Sequence, residues 1–98
     1  KLKEIDSMLT QEQVTKFEGE LEVAQEEYRK DLESDRAPEL NGGRVAGYSE
    51  VLKMTKEGKS VGDFTKRYQE VAELNRKNPS SLWQGMLRSF KEVHGVIA

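Results

Sequence analysis

Ninety-eight residues, 35% hydrophobic and 35% charged, suffice for one modest core but leave little apolar surplus. The absence of cysteine excludes disulfides, zinc–thiolate centres and thiol nucleophiles, and it fits a reducing, cytoplasmic setting. No apolar run approaches the ~18 residues that a membrane span requires, so no membrane role is expected.

The net charge of −2 is unevenly placed. Residues 1–40 hold 6 Lys/Arg against 12 Asp/Glu, whereas residues 41–98 hold 10 against 6. Either the two halves attract one another, which is the preferred reading, or each surface has its own partner. The chain opens on Lys1, which leaves open a removed signal segment or a larger parent protein.

Leu2, Ile5 and Met8 lie at helical spacing and suit a short lead-in helix. Thr10 followed by Gln13 forms a capping box, and Leu9 with Val14 occupies the staple positions around it. A helix is therefore expected from about residue 11 to 34. Its apolar residues Val14, Phe17, Leu21, Ala24, Tyr28 and Leu32 fall within about 80° of arc, as narrow as a coiled-coil seam. The remainder is rich in glutamate, and Val23 lies opposite the stripe.

Pro38 and the Asn41-Gly42-Gly43 run predict a loop over about 35–42. A second helix is expected over about 43–57, with Val45, Tyr48, Leu52 and Thr55 inward and Gly58 as its cap. Gly47 inside it marks a close crossing or a later start at Ser49.

Ser60 with Asp63 repeats the capping-box grammar and opens a third helix over about 61–77, with Val61, Phe64, Tyr68, Val71, Ala72 and Asn75 on one face. Asn78-Pro79 predicts a fourth helix over about 79–94, closed by Gly95. This last helix is the most apolar and is expected to form the centre of the domain.

The expectation is thus a single all-α domain, 1–98, in which one long N-terminal helix accompanies three shorter ones. A helix of 23 residues is roughly 35 Å long and one of 16 residues roughly 24 Å, so the first helix should overhang its neighbours. The excess seam is to be covered either by the lead-in of Leu2 and Ile5 or by a protein partner, in the first instance a second copy bound through Val14, Phe17, Leu21, Tyr28 and Leu32.

Catalytic groupings are missing. His94 is the only histidine and reads as a core-edge residue or a cation at a helix C-terminus. Carboxylate pairs such as Glu18/Glu22 and Glu22/Glu26 lie on one exposed helix, where nothing separates their pKa values. Asn41-Gly42-Gly43-Arg44 lacks the remainder of a phosphate-binding loop and reads as a turn. A non-enzymatic regulatory interaction module with no cofactor and no metal is the expected class.

The alternative is a small nucleic-acid-binding regulator. It would use Lys53, Lys56, Lys59, Lys66, Arg67, Arg76, Lys77, Arg88 and Lys91 as phosphate contacts. Interleaved acids such as Glu50, Glu57, Glu70 and Glu73 count against it.

Two short runs carry resemblances. The rhythm from Ser60-Val61-Gly62-Asp63-Phe64 through Asn78-Pro79-Ser80-Ser81-Leu82 to Phe90 is similar to the helical core-binding domain of tyrosine recombinases, over about the last 38 residues alone. Trp83-Gln84-Gly85 resembles the Trp-x-Gly of small secreted helical-hairpin proteins, where that motif lies in a turn rather than within a helix. No assignment rests on either.

Overall fold

A computed structural model describes residues 8–97, and all regular structure among them is helical. The helices are α1 (Gln11–Glu33), α2 (Glu39–Lys56), α3 (Val61–Lys77) and α4 (Ser81–Ile97). The lead-in read from Leu2 and Ile5 lies outside the described residues.

The contrast between one long helix and three short ones is not found. The four run to 23, 18, 17 and 17 residues. Two local readings account for the difference. The loop expected over 35–42 is only 34–38, because Asn41, Gly42 and Gly43 lie inside α2. Likewise Gly95 does not end α4, which continues to Ile97.

Local signals set most helix ends. At α1 the Gln13 N–H donates to Thr10 Oγ1 (3.1 Å), and Gln13 Oε1 accepts from the Thr10 N–H (2.9 Å). Ser60 and Asp63 make the same exchange at α3 (3.1 and 3.0 Å). These bonds satisfy donors that a helix start leaves orphaned. At α4 the cap is Ser80, whose Oγ accepts from the Trp83 N–H (3.1 Å); Asn78 instead terminates α3.

After α2 the chain turns through Gly58 at φ 80°, with Lys59 N–H bonded to Met54 O (2.9 Å) and Gly58 N–H to Thr55 O (3.1 Å). This is a Schellman ending, and the left-handed residue is a glycine, as such endings favour. α1 ends in the same way with Asp35 at φ 58° and Arg36 N–H on Asp31 O (2.9 Å).

Packing follows the order α1–α2–α4–α3: α4 lies between α2 and α3, while α1 rests mainly on α2. The edge helices α1 and α3 therefore flank a central pair. Phe17, Val51, Phe64, Val71, Phe90 and Val93 are fully buried, each contributing on the order of 1.5–3 kcal/mol by leaving water. Phe64 meets Phe90 edge-on (centroids 5.5 Å, 87°), and Phe17 stacks on Tyr48 (6.0 Å, 24°).

The central crossing is built from small residues. A Cβ built on Gly43 would run into the Leu82 carbonyl and lie 3.0 Å from Gly85 Cα; one on Gly47 would lie 2.7 Å from Ser89 Cβ. Gly43/Gly47 on α2 and Gly85/Ser89 on α4 thus bring the two backbones together, with Ser89 Oγ donating to Arg44 O (2.9 Å). Gly43 is helical because this contact outweighs the ~1 kcal/mol by which glycine disfavours a helix. The close-crossing reading of Gly47 holds, and the later start at Ser49 does not.

Candidate interaction surfaces

The α1 stripe divides into a used part and an unused part. Phe17 and Ala24 are fully buried, so Phe17 belongs to the core and has no surface to offer a partner. Val14 and Leu21 are half-buried and line a groove of about 530 Å³ between α1 and α2, with Leu52 on the far wall and Lys53 and Lys56 at its edge. Tyr28 and Leu32 remain 37% and 56% exposed, and Val23 on the opposite side is 50% exposed. One edge of the Tyr28 ring lies over Gly42, where a Cβ would come within 3.1 Å of Cε1.

The stripe goes unused because α2 engages the distal part of α1 through polar groups. Asp31 accepts from Asn41 Nδ2 (2.8 Å) and from Arg36 Nε (3.1 Å). Arg44 pairs with Glu27 and donates to Asn41 Oδ1 (2.8 Å). The Asn41 hydrogen bond, aided by Arg36, holds the Asp31 carboxyl below the usual aspartate range. Sequence reading missed this network by placing Asn41 in a loop. Its signature is a pair of spacings, Glu27/Asp31 at four and Asn41/Arg44 at three, which put each pair on one helical edge.

Beside it, Tyr48 is nearly buried and donates to Glu92 Oε1 (2.6 Å), joining α2 to α4. Burial, reinforced by Glu92, pushes the phenol well above its ordinary pKa. Tyr48 is therefore a neutral donor and Asp31 a fixed anion. Neither is poised between protonation states near neutral pH, as proton transfer would require. No cluster among the described residues has the donor set for a metal ion. No helix among them is long and apolar enough to cross a membrane.

The nine cations named as phosphate contacts are divided among several surroundings. Arg67 donates to Glu50 (Nε–Oε2, 2.5 Å) and to Glu70, so it is committed within the fold. Arg76 pairs with Glu73 (2.5 Å), and Lys77 lies 3.9 Å from the same carboxylate. Lys53 and Lys56 border the α1/α2 groove, whereas Arg88 and Lys91 border another between α3 and α4. Lys59 and Lys66 are exposed. His94 is exposed too, its ring edge-on to Tyr68 at 5.7 Å.

No family model, curated protein or solved structure matches the chain.

Proposed function

We propose that this chain is a non-enzymatic helical interaction module that associates with itself through the distal half of α1. One observation carries the reading: Tyr28 and Leu32 continue the stripe that buries Phe17 and Ala24, yet both stay exposed at the end of an edge helix. Apolar side chains repeated at i and i+4 on a helix are the form in which one helix recognises another. The acidic residues around them keep the free chain soluble and limit association to a complementary surface.

Sedimentation equilibrium at well-separated concentrations tests the proposal. The expected result is a mass that rises with concentration in the native chain and stays at the monomer value in Leu32→Asp. A native chain that remains monomeric at every concentration overturns it.

A further inference from the structure

The distal end of α1 needs a complementary surface, and another pair of helices offers one. Between α3 and α4 lies a groove of about 410 Å³. Tyr68, Ala72 and Leu87 form its apolar floor, and Gln84, Arg88 and Lys91 its rim, with no carboxylate among these lining residues. Neither Arg88 nor Lys91 has an ion-pair partner among the described residues. Tyr68 and Leu87 are only half-buried, so apolar area remains open to water.

α1 presents the converse. Gln11–Glu33 holds eight acidic residues against three basic ones, and Arg29 is already engaged by Glu26 and Glu33. Near the tip, Asp35, three residues beyond Leu32, and Glu39, which lines a groove with Tyr28, are exposed and have no ion-pair partner among the described residues. An apolar tip bordered by these two free carboxylates thus matches an apolar groove with a basic rim. Within one chain the two belong to different helix pairs, since α1 packs mainly on α2 whereas the groove lies between α3 and α4.

We infer that the α3/α4 groove receives the α1 tip of a second copy, Tyr28 and Leu32 entering beside Arg88 and Lys91. This rests on the self-association proposed above and adds its partner surface. The contact is heterologous: each copy donates a tip to one neighbour and a groove to another. Such contacts propagate into rings or open chains instead of stopping at a two-fold dimer.

Two variants of the full chain, each defective in one surface, test it. Leu32→Asp disables the tip and keeps the groove, whereas Arg88→Glu with Lys91→Glu disables the groove and keeps the tip. All three positions are exposed, and circular dichroism checks that helicity is retained; Lys91→Glu alone serves if the double variant loses it. The native chain should assemble beyond a dimer, less so at raised salt. Each variant alone should associate at least about tenfold more weakly, and an equimolar mixture should recover association that stops at a heterodimer.

A mixture that stays monomeric, or a groove variant that assembles like the native chain, overturns this inference. If Leu32→Asp is then still defective, self-association through α1 survives as a two-fold contact. A monomeric native chain removes both.

Discussion

Gly85 on α4 faces Gly43 on α2 so closely that a Cβ added to Gly85 would lie 2.9 Å from Gly43 Cα and run into the Leu40 carbonyl. The obstacles are backbone atoms, which cannot rotate aside as a side chain can. Gly85→Ala should therefore force the central pair apart and cost about 3 kcal/mol, the upper end for overpacking. At Gly47 the nearest obstacle is the Ser89 side chain. Gly47→Ala should cost less, and Ser89→Gly should recover part of that loss. Urea unfolding of the single and double variants measures both terms; a strictly additive pair would contradict the contact.

Acidification should loosen the junction of α1 with α2. Asp31 has its pKa lowered in the folded state, chiefly by the Asn41 hydrogen bond. Its contribution is fully present above the ordinary aspartate value near 3.8 and is lost as pH falls through the lower folded value. Thermal melts between about pH 5 and pH 2 should show this decline, shallower in Asp31→Asn. Other lowered carboxylates, Glu26, Glu73 and Asp63, leave a residual slope in the variant.

Alkali acts on the other side of the network. The Tyr48 phenol is raised above its ordinary pKa of 10.0, so the folded chain holds this proton more tightly than the unfolded chain does. Its stabilisation is intact below that value and is lost as pH rises beyond it. Tyr48→Phe should weaken the protein at neutral pH by about 1.5 kcal/mol, the low end for a hydrogen bond to a charged acceptor. It should also remove part of the alkaline decline. Absorbance of the phenolate, compared between native and variant chains, identifies the late-ionising tyrosine.

The two left-handed helix ends respond in opposite directions. Gly58 has φ 80°, where a Cβ is strained, so Gly58→Ala should cost about 1 kcal/mol. Asp35 has φ 58° and places a negative charge at a helix C-terminus. Asp35→Gly should gain up to about 1 kcal/mol, relief of strain being partly offset by a freer unfolded chain. Denaturant midpoints of the two variants should move to opposite sides of the native value.

Legibility in the sequence tracked the range of the interaction. Thr10/Gln13 and Ser60/Asp63 close bonds within four residues, so their grammar is visible in any short window. Gly58 is readable for the same reason. Asn78 competes with Ser80 because both residue types cap helices well, and only the fold shows which one lies at a helix start. Asn41-Gly42-Gly43 reads as a turn because the stabilising contact comes from Gly85, more than forty residues away. The same crossing sets which side of α4 is buried. Gly85 and Ser89 lie inside, whereas the larger Leu82 and His94 are exposed. On α1 the periodicity marks Tyr28 and Leu32 as equivalent to Phe17, since spacing alone carries no record of where α2 stops covering the stripe.

The layered order α1–α2–α4–α3 also bears on how the molecule breathes. Each outer helix is secured mainly to one neighbour, so either can lift away without separating the glycine-lined middle. Amide exchange should then report three tiers: rapid at the distal end of α1, slower along α3, and slowest where Gly43 and Gly85 touch.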